Sequence, residues 1–456
     1  MTQYNSKNKE YLNTNKTIYE VVMVADSDGN VINPDTPQTI NISENFLDAF
    51  GKLRVSSPYT LADYKHTYGD IGDFITLTEN GGGVTHPANK AHALLETSAS
   101  ANSRVVYQSK IYHHYLPGKS NLVYTSFSFD DSDISCKKRI GYFDDNNGIF
   151  LEKEINELGE YVLKLVIRSN VSGVVEDVVV TQENWNKDTC DGNGASLFEI
   201  DTTKTQLVFF DFQWLGVGRV RCGFFHEGSV IFAHDFYHSN ITSEVYWSNP
   251  NLPVRSEIIN TGESSASLKH ICSTVVSEGG YVEAGTDWEQ QSSQMKPTEL
   301  PGGTWTPILA IRLKNTFKGD LNRVVVVPEN LSVFSDLNTV AYKVGKIPSA
   351  DYLSNGLPLS WNSVHANSAV EYCEEMTEID LGQFESFAGG FVVSGNPQSA
   401  PTAANTADVI QSKRNKICQN YDSTDSEVYV LIAKTLTTGN NDYANVVVSM
   451  QWKEII

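Results

Sequence analysis

Two stretches of the chain set carboxylates at the alternate spacing that glycoside chemistry uses. In Glu199-Ile-Asp201 and Glu378-Ile-Asp380 both acids fall on one face of an extended chain, where a pair of carboxyl groups can flank a sugar bond. The full strand pattern of a retaining enzyme is Glu-x-Asp-x-x-Glu, and here the last place holds Lys204 in one run and Gln383 in the other. Half of the acid/base pair is therefore missing. Charged turn residues are the simpler reading, and no catalytic residue is expected.

Three runs rich in Asp and Asn offer oxygen ligands to a hard cation: Asp26–Asn30, Asp144–Gly148 and Asp188–Gly194. In the first, Pro37 stands where a calcium loop needs a bidentate Glu, so a hairpin with an Asp-Gly turn explains it better. The third reads as a surface loop. The second lies between the apolar runs Gly141-Tyr142-Phe143 and Ile149-Phe150-Leu151, which is hairpin geometry first. Its side chains Asp144, Asp145, Asn146 and Asn147 remain candidate contacts for a glycan or an ion. His113-His114 and His234/His238 are the histidine pairs. The latter two share a strand face but lie about 13 Å apart at strand rise, too far for one ion. No Gly-x-Ser-x-Gly, phosphate-binding loop or His-Glu-x-x-His occurs. The expectation is no metal and no cofactor.

The elements that must carry these residues have a two-residue period. Val208, Phe210, Phe212 and Trp214 alternate with Leu207, Phe209, Asp211 and Gln213; Tyr161, Leu163, Leu165 and Ile167 alternate with Val162, Lys164, Val166 and Arg168. Val220, Cys222, Phe224 and His226 share one face by the same rule, as do Val230, Phe232, His234 and Phe236. Such segments are half-buried antiparallel strands, separated by turn signals such as Asn147-Gly148 and Glu227-Gly228. The best helical candidate, Ala88 to Thr97, could equally be a strand. The fold class is all-β: a large concanavalin- or jelly-roll-like antiparallel β-sandwich, a second, smaller β domain and an extended N-terminal arm. The boundaries read as 1–56 for the arm, 57–285 for the large sandwich, 286–305 for a polar linker and 306–456 for the C-terminal β domain. The stretch Asn396–Ala407 reads as an exposed loop.

The chain has 456 residues and a formal net charge of -21. Phosphate contacts need clustered Lys and Arg, so neither nucleic acid nor an anionic membrane is an expected partner. The six cysteines are scattered, without zinc-ribbon spacing, and suit free thiols in a reducing compartment. The polar start MTQYNSKNKEYLNTNKTIYE lacks the apolar run of a secretory signal, which predicts cytoplasmic synthesis. Aromatic residues make up 11% of the chain and could stack on sugar rings, although Phe210, Phe212 and Trp214 on one strand face point to core filling instead.

The stretch Asp48-Ala-Phe-Gly-Lys-Leu-Arg-Val-Ser-Ser-Pro-Tyr-Thr-Leu-Ala-Asp63 resembles a segment of virion proteins from marine tailed phages, including cyanophages. HHYLPGKS (His113–Ser120), KRIGYFDDNNGIFLE (Lys138–Glu152), LVIRSNVSG (Leu165–Gly173), FFDFQWLGVGRVRCGF (Phe209–Phe224) and NLPVRSEIINTG (Asn251–Gly262) are similar to the same family. These pieces span about half the chain, and VVVSMQWKEI resembles the family's last strand. The resemblance implies a non-enzymatic structural component of a virion, with a lectin-like sandwich and no carried-over catalytic residues. It further implies a location in the particle after synthesis in the host cytoplasm. The partners it implies are the chain itself and other virion proteins. A fibre, spike or appendage subunit of this kind would be a homo-oligomer, a trimer if it follows the usual symmetry of appendages around a tail. Ala49, Phe50, Gly51, Lys52, Leu53, Arg54 and Val55, with the polar arm before them, would then be the attachment element. The alternatives are a receptor-binding module with host surface glycan as its partner, or a head-surface, capsid-associated fibre or decoration protein, and a polysaccharide depolymerase is the remotest reading.

Overall fold

The computed structural model describes residues 57–70, 72–129, 136–156, 158–282, 285–293, 296–297, 304–336, 338–393, 416–436 and 444–456, with two short strands at Tyr11–Leu12 and Ile18–Tyr19. The chain divides into two units, Met1–Ser56 and Ser57–Ile456. In the first unit the two short strands pair antiparallel. The hairpin expected at Asp26–Asn30 and the segment Ala49–Val55 lie outside the described residues, as does the loop expected at Asn396–Ala407.

The second unit is built from antiparallel sheets, and its described residues contain no α-helix. Two large sheets form the sandwich that the alternation calls for. One has seven strands, in the order Glu176–Thr181, Tyr161–Ser169, Gly148–Ile155, Cys136–Phe143, Val254–Asn260, Arg104–Ser109 and Phe74–Glu79. The other runs Ser229–Phe236, Val220–His226, Gln206–Phe212, Asn121–Ser128, Ser267–Ser277, Ala93–Glu96 and Gly83–Thr85, and Tyr59–Lys65 also pairs with Ser267–Ser277. Alternate residues of both sheets meet in one core. Ile140, Tyr142, Ile149, Leu151, Leu165 and Ile167 come from the first, and Val123, Phe127, Val208, Phe210, Phe212 and Phe224 from the second. Phe212 and Trp247 pack edge to face with centroids 5.2 Å apart. The candidate helix Ala88–Thr97 contains the strand Ala93–Glu96.

The alternation breaks once where the sequence reads as regular. Val230, Phe232, His234 and Phe236 do not share a face. Cys222 pairs with His234 but Gly223 pairs with Phe232, so Ala233 is an extra residue, a β-bulge. Before it Ile231 is buried while Val230 and Phe232 are exposed; after it His234 and Phe236 turn inward. Gly223 makes the bulge's partner strand fit, because a Cβ there would press into the Phe209 ring and the Ile231 carbonyl.

Most of the remaining strands make a smaller pair of sheets. Asn445–Ile455 pairs with Val325–Ser335, Thr286–Gln291 and Lys296–Pro297. A six-stranded sheet runs Asn362–Ser363, Val370–Cys373, Thr306–Leu313, Val428–Thr435, Val340–Ile347 and Glu385–Val392. This second sheet is apolar on both sides: Leu309, Tyr429 and Leu431 face Val333, Val446 and Trp452, whereas Ala310, Val430 and Ile432 face Met376, Leu353 and Trp361. Burial on both faces explains why Val428 to Ala433 is continuously apolar rather than alternating. The stretch 286–305, expected as a linker, begins with a strand. Trp288 lies opposite Trp452, and ladder hydrogen bonds hold this Gln- and Glu-rich run, whose side chains otherwise face water.

Ile231→Ala is expected to cost about 2–4 kcal/mol of stability by leaving a core cavity. Val230→Ser should change stability by no more than about 0.5 kcal/mol, because the bulge turns that residue outward. Urea unfolding of both variants checks the register.

Candidate functional site

The outer face of the seven-stranded sheet is charged and buried at once. Arg255 and Glu257 sit two apart on one strand and so share that face, with Ser256 turned inward to His270 Nδ1 at 2.9 Å. Glu257 lies directly opposite Arg139, which in turn lies opposite Glu152, and Glu152 opposite Lys164. A cross-strand row of alternating charge results. Arg104 Nε donates to Glu257 Oε1 at 2.6 Å, Arg139 Nε to Glu152 Oε2 at 2.6 Å, and Arg139 Nη1 to Glu257 Oε2 at 3.4 Å. Arg255 Nη2 is 3.4 Å from Glu257 Oε1. Beside the row, Phe143, Phe150 and Val166 cluster, and the guanidinium groups of Arg139 and Arg168 each lie 5.2 Å from the Phe150 centroid.

Arg255 and Glu257 are only 0% and 1% exposed, so neither could hold its charge there alone. Burial pushes the Glu257 carboxyl up, but Arg255, Arg139 and Arg104 outweigh it and bring it down to about 2. A general acid for glycoside cleavage needs the opposite shift. This carboxylate is a permanent counter-charge.

The turn Asp144–Asn147 closes over the same face. Asp144 Oδ1 accepts from the backbone N–H groups of Asn146 and Asn147, each at 2.8 Å, while Asp144 N donates to Asn147 O at 2.9 Å. Gly148 follows with φ +134°, and a Cβ there would collide with Tyr142 O and Phe143. Asn147 Nδ2 donates to Ser248 Oγ at 2.9 Å, and its Oδ1 accepts from Ser248 N at 3.0 Å. Asp145 reaches the other way. Its Oδ1 accepts from Arg104 Nη2 at 2.7 Å and Arg255 Nη2 at 2.8 Å, and its Oδ2 accepts the Tyr421 hydroxyl. These partners hold the Asp145 carboxyl well below the usual carboxylate range although burial opposes them.

Tyr421 belongs to the loop before Val428–Thr435, so Asp145 joins the large sandwich to the C-terminal sheets. Arg323 steadies that loop through Asn420 O at 3.0 Å and Tyr421 O at 2.6 Å, with its guanidinium 4.6 Å from the Tyr112 centroid. Nearby, Lys110 and Lys346 meet Glu427 Oε1 at 3.1 and 3.2 Å. At this seam a cavity of about 360 Å³ opens, lined on one side by Asn147, Asn170 and Ser248, on the other by Asp320 and Tyr421, and by Arg255. The Arg255 Nε and Nη1 have no acceptor in the structure.

Asp144, Asp145, Asn146 and Asn147 thus all line the cavity, with the Asp145 carboxylate already engaged by two arginines. The other candidates stay apart. Glu199 and Asp201 line a separate, open cavity of about 500 Å³ with Lys153 and Tyr161, and hydrogen bonds from Thr203 hold the Asp201 carboxyl low. Asp380 Oδ1 accepts from Gly382 N at 2.9 Å in a turn just after the two-residue strand Glu378–Ile379. Asp188 organises its own loop by accepting from Cys190 N at 2.8 Å and Ser196 N at 2.7 Å. His113 is buried between Tyr64 Oη and Leu252 O, each at 3.0 Å, and burial pushes it down to about 4. Asn186 N donates to His234 Nδ1 at 3.1 Å, and His238 Nδ1 donates to Gly218 O at 2.8 Å. Among the described residues no three His, Cys, Asp or Glu side chains come together as a metal site. The residues that sequence reasoning passed over are Arg104, Arg139, Arg255, Glu257 and Tyr421. The Arg-Ser-Glu alternation was a visible signal; its partners on other strands were not.

Glu257→Gln is expected to destabilise the protein by about 3–5 kcal/mol, since it leaves three buried guanidinium groups to two remaining acids, Asp145 and Glu152. Because the Glu257 carboxyl is depressed in the folded state, its stabilisation is full above the ordinary glutamate value and is lost as pH falls from about 4.5 to about 2. Denaturation measured across that range should show a shallower acid limb in the variant than in the wild type.

No protein-family model matches the sequence, and no curated protein matches it. Among solved structures it is similar to a protein of unknown function from Shewanella oneidensis, at 12% identity and TM-score 0.33, over 55% of this chain and all of that one. It is similar to a glycoside hydrolase family 16 endo-glucanase from Bacteroides ovatus at 9% identity and TM-score 0.31, over 46% of this chain and 99% of that one. It is also similar to a legume lectin-like domain from Entamoeba histolytica at 9% identity and TM-score 0.30, over 48% and 98% of the two chains.

Proposed function

We propose that the chain is a non-enzymatic structural subunit of a tailed-phage virion, a fibre, spike or appendage component that assembles as a homo-oligomer. The carrying observation is the Arg104–Arg255–Asp145–Tyr421 junction on the Glu257 row. It spends the acids of the sandwich's outer face on counter-charge and ties the large sandwich to the C-terminal sheets. A face organised in this way suits bearing load between parts of a chain better than it suits bond cleavage. The resemblance of Asp48–Asp63 and of the later stretches to tailed-phage virion proteins supports the particle as its setting. The polar arm with Ala49–Val55 is the element assigned to attachment. Immunogold labelling of intact particles is expected to mark one external location, and a chain lacking residues 1–55 is expected to drop out of particles while staying folded. Normal occupancy by the truncated chain would remove the attachment role.

The cavity at the seam favours one second reading, a module that binds host surface glycan. Asp144 and Asp320 supply carboxylate acceptors at the cavity, and Asn146 and Asn170 supply amides that both donate and accept, so sugar hydroxyls, which also do both, match it. Full-length protein on an array of host envelope glycans is expected to bind a defined subset under this reading. An array without signal removes it.

A further inference from the structure

The chain leaves the first unit at Ser56 and enters the sandwich through Tyr59–Lys65, a strand whose one ladder is with Ser267–Ser277. Two inward side chains anchor it. Tyr64 is buried, and its hydroxyl donates to His113 Nε2 at 3.0 Å. His66, just past the strand, is only 5% exposed. Its ring centroid lies 5.3 Å from His270, 5.5 Å from His86, 5.4 Å from Phe74 and 5.6 Å from Tyr107. His66 Nδ1 is 3.5 Å from the Tyr107 hydroxyl, and Nε2 has no partner. Three imidazoles therefore stand in a row, with His66 in the middle. The charges around that row are few. Asp70 acts on His66 from the loop that follows it, and Asp73 acts on Tyr107. His86 and His92 belong to the connection between Gly83–Thr85 and Ala93–Glu96, and His270 to Ser267–Ser277. The strands Phe74–Glu79 and Arg104–Ser109 turn the rings of Phe74 and Tyr107 toward His66. Asp70 Oδ1 is already engaged by Gly72 N at 2.8 Å.

We infer that His66 is an acid-sensitive latch: a proton taken up there releases Tyr59–Lys65 from its sheet while the rest of the sandwich stays folded. A buried imidazolium beside two further imidazoles is opposed both by lost hydration and by like charge. Burial, and after it His86, push the His66 ring down to about 4, and Asp70 opposes them too weakly to restore it. His66 is also the ring that can leave. His270 lies on an interior strand, between Asn121–Ser128 on one side and Ala93–Glu96 and Tyr59–Lys65 on the other. Both its nitrogens are bonded, Nδ1 to Ser256 Oγ at 2.9 Å and Nε2 to Ser273 Oγ at 2.7 Å. His86 is already half-buried only. His66 gives up no contact closer than 3.5 Å to a polar atom, and one ladder holds the strand before it. Once released, the ring recovers its ordinary value of 6.5, so the open form binds the extra proton. Opening therefore grows as pH falls from about 6.5 to about 4, and at pH 5.0 it is about 30 times more favourable than at pH 7.5. The segment that joins Met1–Ser56 to the sandwich is then docked at neutrality and loose in acid. The buried His113 ring, which meets Tyr64 and Tyr142 and feels the charge of Lys416, is the rival sensor.

Hydrogen exchange of the full-length chain at pH 7.5 and 5.0, normalised to the intrinsic rate at each pH, tests this. The bonded amides of Tyr59–Lys65 are expected to lose about 30-fold in protection at pH 5.0, whereas those of Gln206–Phe212 and Val428–Thr435 keep theirs. His66→Phe keeps a ring against Phe74 and Tyr107 but carries no titrating nitrogen, and it is expected to hold the strand equally at both pH values. His66→Gln is the second neutral variant, should the larger ring not be accommodated. A wild-type strand protected alike at both pH values overturns the inference, as does an equal loss of protection in Val428–Thr435, which is global acid unfolding. A neutral variant at position 66 that keeps the full response also overturns it and moves the sensor to His113.

Discussion

A glutamate in the middle of a sheet's outer face, almost wholly out of water, can remain ionised only if cations are fixed around it. Glu257 has three, Arg104, Arg139 and Arg255, and each is itself held by a further acid: Arg139 by Glu152, Arg104 and Arg255 by Asp145. The energetic consequence is asymmetric. The lattice as a whole contributes little net stability, since desolvating so many charges costs nearly what their attraction returns. Removing any one member is expensive, because the others stay buried without a counter-charge. The row therefore acts as a specificity device: it tolerates only the register that sets acid beside base on adjacent strands.

That constraint extends beyond the sandwich. Asp145 can serve Arg104 and Arg255 only if its turn is folded back over the sheet, which Asp144, Gly148 and the Asn147–Ser248 pair bring about. With the turn in place, the second carboxylate oxygen is presented to Tyr421, and the C-terminal loop docks. The cavity at this seam lies between that turn and the docked loop, and Arg255 beneath it reaches Asp145 and Tyr421 with one nitrogen. Strand register and the docking of the C-terminal loop are thus two consequences of one charge buried in one place.

Much of the fold was legible because half-buried antiparallel strands print their two faces directly into the chain. Tyr161–Ser169 and Gln206–Phe212 read correctly for that reason. The reading failed where a local exception resets the phase. Nothing in Val230–Phe236 announces that Ala233 is unpaired, because a bulge is decided by how two strands align. It failed again at Thr286–Gln291, where a polar composition suggested a linker but ladder hydrogen bonds, which are indifferent to side chains, make a strand. At the site, the Asp144–Gly148 hairpin was readable from its turn residues. The capture of Asp145 by Arg104, Arg255 and Tyr421 was not, because these residues are separated by tens to hundreds of positions.

The sequence by itself determined the all-β class, the location of most strands, the hairpin turns and the incomplete Glu-x-Asp-x-x-Glu patterns. Each of these is a local property, set by side-chain period, backbone preference and spacing over a few residues. Only the tertiary structure decided which strands are neighbours, which charges meet across them, and that Glu176–Thr181 is left at an edge with Val178 and Val179 exposed. Those outcomes depend on strand order, and strand order is settled by the cooperative burial of residues from the whole chain rather than by any segment of it.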